Sequence, residues 1–227
     1  MKYFTKSELA LWLGSMLIIA VSFLWHGESD ALTLIASLIG VTSLIFNSKG
    51  NPTGPFLMIF FSLIYGVISY TCAYYGEMIT YIGMTLPMEV FALVSWLRHP
   101  YKGNKAEVEI KEVTNREWAF MWIFTFLVTL AFYFILKALN TANLIPSTIS
   151  VATSFLAAYL TLKRSPYYAV GYAANDMVLI VLWLLAAMHD ASYFSVVVCF
   201  VVFLINDIYG FISWRKMGRR QAEAIVQ

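Results

Sequence analysis

Charge is scarce in this chain: 12% of its 227 residues are Asp, Glu, Lys or Arg, and it holds two cysteines and three histidines. Each shortage excludes something. Cys72 and Cys199 both fall inside apolar runs, so a disulfide framework and a cysteine-based metal site are unsupported. His26, His99 and His189 stand at run ends or in a link, with no His/Glu spacing along one helix, which removes the common metallohydrolase pattern. No Walker A sequence is present, so ATP does not drive the protein directly, and no nucleophile with its base is evident. No Lys lies within a late apolar run, which argues against a retinal Schiff base. An enzyme, a resident cofactor and a nucleic-acid partner are therefore not expected. The start, MKYFTKSELALWLG, carries no small-x-small cleavage pattern after its apolar run, and it is read as a retained helix.

What the chain does have is apolar surface. Hydrophobic residues make up 60% and aromatics 17%, with a mean hydropathy of +0.73. Those values lie outside the soluble range and make this an integral membrane protein. Eight apolar runs, 9–25, 31–47, 55–75, 78–97, 117–137, 145–162, 167–187 and 191–214, are each near the roughly 20 residues that cross a bilayer as helix. The links are short and marked by Pro, Gly, Asn and Asp. The one longer link, RHPYKGNKAEVEIKEVTNRE, is expected to be a solvated loop or a short surface helix.

Eight crossings sort the basic residues sharply. Lys2, Lys6, Lys49, Arg98, Lys102, Lys105, Lys111, Arg116, Lys163, Arg164, Arg215, Lys216, Arg219 and Arg220 fall on one side and Lys137 alone on the other. Fourteen against one places both termini in the cytoplasm. His26, Glu28, Asp30, Glu77, His189 and Asp190 are then expected on the outer face.

The chain also resembles itself. PMEVFALVSWLR (Pro87 to Arg98) aligns with INDIYGFISWRK (Ile205 to Lys216) at an offset of 118, so that Glu89 meets Asp207 and Trp96 meets Trp214. SLIGVTSLIFNSK (Ser37 to Lys49) aligns loosely with VATSFLAAYLTLK (Val151 to Lys163) at an offset of 114. The fold class read from this is all-α and integral to the membrane. An extra N-terminal helix (1–30) is followed by a three-helix repeat (31–98), a charged loop with a linker helix (99–140), a second three-helix repeat (141–216) and a cytoplasmic tail (217–227). An odd linker gives both triplets the same orientation, a parallel repeat whose substrate site is expected between the halves near the midplane.

That three-plus-one-plus-three plan is similar to the SWEET sugar transporters. The segment YAANDMVLIVLWLLAAMHDASYFSVVVCFVVFLINDIYGFISW (Tyr172 to Trp214) resembles the C-terminal third of the PnuC family of nicotinamide riboside transporters. In the third run, Tyr65-Gly66 and Ser69-Tyr70 stand where a Gln- and Trp-rich helix is expected, so thiamine, riboflavin and a SWEET-type sugar stay open as alternatives. The resemblance implies facilitated diffusion across a bacterial inner membrane by alternating access. It also implies trapping of the vitamin by a cytosolic kinase and a small homo-oligomer, a trimer by analogy.

Candidate site residues follow from depth and cost. Asn175 and Asp176 lie eight or nine residues into run seven, about 12–14 Å from the cytoplasmic end. Asn206 and Asp207 lie at a similar distance from the end of run eight, and Glu89 from the end of run four, so all five are expected to share one depth. A carboxylate facing lipid there costs roughly 2.5–3.5 kcal/mol, so these side chains should point into the bundle, as ligands or as hydrogen bonds between helices. Trp12, Trp96, Trp118 and Trp214 are expected as interfacial anchors near cytoplasmic ends and Trp25 near an outer end. Trp122 and Trp183 lie deeper, Trp183 shares a face with Asp176, and Tyr209 follows Asn206 by three. With the resemblance in hand, these aromatics would stack on a pyridinium ring while the carboxylates attract its charge and the amides serve the ribose or carboxamide. Gly66, Gly171, Gly210, Pro87 and Pro166 are candidate points of flexure.

Overall fold

The computed structural model describes residues 3–26 and 31–226. Lys2, Glu28 and Asp30, expected at the two membrane faces, and the side chain of His26 lie outside the described residues. Among the described residues, eight helices are long and apolar enough to cross a membrane. They are α1 (Lys6–His26), α2 (Ala31–Ser48), α3 (Thr53–Thr71), α4 (Tyr75–Arg98), α5 (Asn115–Ala138), α6 (Leu144–Leu162), α7 (Tyr168–Ala187) and α8 (Phe194–Val226).

Local chemistry explains their ends. α2 stops where Gly50 turns to φ +63° and the Asn51 amide donates to Phe46 O at 3.1 Å. α6 stops in the same way, with Arg164 at φ +57° and the Ser165 amide donating to Leu160 O at 3.0 Å. This is the helix C-cap that satisfies last-turn carbonyls through one left-handed residue. The two turns lie 114 residues apart. α5 opens with a capping box in which Thr114 and Glu117 satisfy each other's backbone amides, and Glu117 also accepts from Lys111 and Lys163 at 2.9 and 3.0 Å. α4 contains a π-helical segment, Thr80–Thr85, just before Pro87. Proline has no amide to give to the preceding turn, and a wider turn there takes up the missing bond.

α3 pairs with α2 and α7 with α8, while α4 packs between α3 and α6 and α8 between α7 and α2. α1 lies against α2 and α8, and α5 against α6. Gly171 permits a close approach of α7 to α6, because a Cβ there would stand 2.8 Å from the Ala157 backbone.

Four expectations need correction. The charged link is a β-hairpin, β1 (Pro100–Tyr101) and β2 (Asn104–Val108), because Lys102 and Gly103 both adopt positive φ, the two-residue turn whose twist suits paired strands. The tail continues α8 as helix to Val226, because Met217 and Gln221 are buried against the hairpin: Gln221 donates to Val108 O at 3.1 Å and accepts from the Ile110 amide at 2.9 Å. Arg220 pairs with Glu107. Trp96 and Trp214 are fully buried rather than interfacial, their indoles donating to Thr161 O (3.0 Å) and Asn47 O (2.6 Å). Glu77 is also fully buried, because the short helical start of α4 tucks Gly76 against Leu136 and Ser147 and carries the next side chain inward.

Candidate functional site

Adjacent residues on a helix point about 100° apart, so an Asn-Asp pair cannot place both side chains in one ring. α7 and α8 show the consequence. Asn175 turns toward α6, where its Oδ1 accepts from Ser150 (3.2 Å), Thr153 (2.8 Å) and Ser154 (3.0 Å). Asp176 turns toward α8 and stands against Asp207, with Asp176 Oδ2 unpartnered among the described residues. Asn206 turns away to α1, donating to Ser15 Oγ at 2.9 Å and to Val202 O at 2.8 Å. The five polar residues expected at one depth are thus all buried, yet they divide into an α7–α8 carboxyl pair, two amide ties to outer helices, and Glu89. The Glu89 Oε1 accepts from Tyr172 Oη at 2.5 Å across the α4–α7 contact.

Trp183 lies on the same α7 face as Asp176, seven residues on and nearer the end away from the hairpin. It is fully buried and donates to Tyr65 Oη at 2.7 Å. The rings of Tyr74 and Tyr193 stand 5.2 and 5.4 Å from it, and Tyr65 and Tyr81 stand 4.5 Å from each other. A cavity of about 200 Å³ opens beside it, lined by Thr33, Cys72, Trp183 and Tyr193. A smaller pocket lined by Tyr65, Phe61, Cys199 and Phe200 shares Thr33, Ile68 and Val196 with that cavity and leads inward.

Two expected members are elsewhere. Trp122 is 57% exposed on the flank of α5, because α5 buries the face that carries Met121 and Thr125 and Trp122 points off it. Tyr209 stands two residues beyond Asp207, more than half a turn around α8, and meets Glu8 Oε1 at 3.2 Å beside Lys49. Tyr65, Tyr81 and Tyr172 were not expected in the cluster. Tyr172 could have been found from its four-residue spacing to Asp176, which puts both on one helical face. The positions of Tyr65 and Tyr81 follow from α3 and α4 packing, which one sequence does not display.

The solved "Crystal structure of the Vitamin B3 transporter PnuC" superposes on this fold with a TM-score of 0.84 at 24% identity, covering 97% of this chain and 95% of the other. "Nicotinamide riboside transporter PnuC" of Neisseria mucosa is 26% identical over 94% of this chain and 82% of its own length. The protein of the same name from Haemophilus influenzae is 21% identical over 92% of this chain and 90% of its own length. The family model described as nicotinamide mononucleotide transporter matches residues 30–216. An eight-helix membrane chain with a buried polar cluster and that match over most of its length belongs to the nicotinamide mononucleotide transporter family.

Proposed function

We propose that this chain carries nicotinamide riboside, without its phosphate, across a bacterial cytoplasmic membrane. The observation that carries the reading is a charge imbalance. Glu89, Asp176 and Asp207 are buried around aromatic rings, while no Lys, Arg or His is buried among the described residues. Buried carboxylates without a basic partner are costly, and a cationic guest offsets that cost. A pyridinium nucleoside brings the missing positive charge and a flat ring for Trp183 and the tyrosines, so cation–π and Coulomb attraction act together. The names of the two relatives support this substrate. A phosphate dianion would meet the same carboxyls, so the nucleoside is favoured over the mononucleotide.

The path is alternating access, with one helix triplet rocking on the other and both related by an axis along the membrane normal. The distribution of Lys and Arg supports cytoplasmic termini and a cytoplasmic hairpin. Diffusion is facilitated rather than coupled, and phosphorylation by a cytosolic kinase retains the cargo. The exposed face of α5, with Trp122, Phe126 and Phe134, offers apolar surface to lipid or to neighbouring copies in a small oligomer.

Calorimetry of the purified protein against nicotinamide riboside, thiamine, riboflavin and glucose tests the reading. Nicotinamide riboside should bind most tightly and its phosphate poorly. Thiamine also carries a cationic ring, and a preference for it would keep the charge argument while correcting the ligand. Tight glucose binding with no response to any vitamin would overturn both.

A further inference from the structure

Glu77 is the buried acid that the carboxyl pair leaves unexplained. It sits in the first turn of α4, just before the π-helical segment, and is fully buried. Neither of its carboxylate oxygens has a geometrically sound hydrogen bond among the described residues. Ser150 stands close to it and also hydrogen-bonds Asn175 Oδ1 at 3.2 Å. A hydroxyl has one proton, so it can serve at most one of the two Glu77 oxygens. Around Glu77 stand the phenols of Tyr65, Tyr74 and Tyr81, with no basic side chain buried among the described residues.

Position gives this acid a use. Tyr65 lines the inward pocket, and its hydroxyl accepts from Trp183, which lines the wider cavity at the end of the bundle opposite the hairpin. Glu77 therefore stands behind the aromatic wall of the entry path. A carboxylate left without donors in a dry interior is stabilised most by a cation arriving along that path. We propose that Glu77 is a second carboxylate station for the substrate's cationic ring, met on the outer side before the Asp176–Asp207 pair. The adjoining π-helical segment, Thr80–Thr85, interrupts the regular helix beside this acid, as such turns often do at functional sites. This inference rests on the reading of a cationic nucleoside as substrate.

The test compares nicotinamide riboside with its reduced dihydropyridine form, which has nearly the same shape and no ring charge. Wild-type protein should bind the cation more tightly than the neutral form. Glu77→Gln should weaken the cation roughly 10- to 100-fold while the neutral form changes by less than about twofold. Glu77→Asp keeps the charge but shortens its reach, and it reads the same ratio if the glutamine variant does not fold: the cation should again lose more than the neutral ring. Equal losses for both ligands, or none for either, in a folded variant would overturn the station while leaving the substrate reading intact. Wild-type protein that binds neither ligand would overturn the substrate reading and this station with it.

Discussion

The indoles of Trp96 and Trp214 meet with ring centroids 5.3 Å apart, and each donates to a carbonyl at the end of another helix. Trp96 on α4 closes on Thr161 of α6, and Trp214 on α8 closes on Asn47 of α2. The donors stand 118 residues apart and the acceptors 114. α4 is thereby fastened to α6 and α8 to α2, an exchange that the proposed two-fold relation between helix triplets would produce.

Replacing either Trp by Phe keeps a ring but removes one of the two donors to a buried carbonyl, the turn amide of Arg164 or Gly50 remaining. Each change should lower the stability of the ligand-free protein by about 0.5–1.5 kcal/mol. Because the rings touch, the double variant should depart from the sum by about 0.5 kcal/mol or more. Thermal unfolding in detergent measures all three, and strict additivity would show that the two fastenings are independent.

Asn175 and Asn206 separate binding from bracing. Asn206 reaches Ser15 on the extra helix, away from the aromatic cavity, so Asn206→Ala should lower thermal stability while the affinity of folded protein stays near wild type. Asn175→Ala strips three hydroxyls of a shared acceptor and should destabilise by about 1–3 kcal/mol. Paired melting and calorimetry on both variants decide it: a large affinity loss for Asn206→Ala at unchanged melting temperature would contradict the geometry.

The eight spans were legible because lipid demands long apolar runs and the links carry their own turn residues. Burial of Glu89, Asp176 and Asp207 was legible for a similar reason, since a carboxylate facing acyl chains is too costly. Direction was not. Nothing in the dipeptides Asn175-Asp176 and Asn206-Asp207 says which member faces the centre, because helix rotation is set by neighbours on both sides. Glu77 was hidden for a related reason: counted by its place in a link, it belongs to a membrane face, and only the packing of Gly76 on α6 draws it inside. Trp96 and Trp214 occupy positions that composition alone assigns to an interfacial belt, and the hairpin and the extended α8 bury them.

The hairpin end gives a test of orientation. Lys105 is exposed on β2, next to the pairing of Glu107 with Arg220 and Gln221. In a background with Cys72→Ser and Cys199→Ser, Lys105→Cys should react with a membrane-impermeant thiol reagent only after the cytoplasmic side is exposed. Labelling of intact cells from outside would reverse the assigned topology and, with it, the direction of the entry path.

The carboxyl pair makes the sharpest demand on the substrate reading. Asp176→Asn or Asp207→Asn preserves side-chain volume, and the new amide can donate to the remaining carboxylate, so the α7–α8 contact keeps a hydrogen bond. Stability should therefore change by less than about 1 kcal/mol, since no buried partner is stranded. Binding should change much more, because each substitution replaces a carboxyl that a cationic ring can meet with an amide whose N–H donors disfavour a cation in a dry site. The expected loss for nicotinamide riboside is roughly 1.5–3 kcal/mol, the range for hydrogen bonds and contacts to charged groups. For the reduced, uncharged form it should be close to zero. The double variant should narrow the gap between the two forms further than either single change does. If both single variants hold nicotinamide riboside as wild type does, the pair is a structural tie, and the cation must be recognised by the aromatic rings and the remaining acids instead.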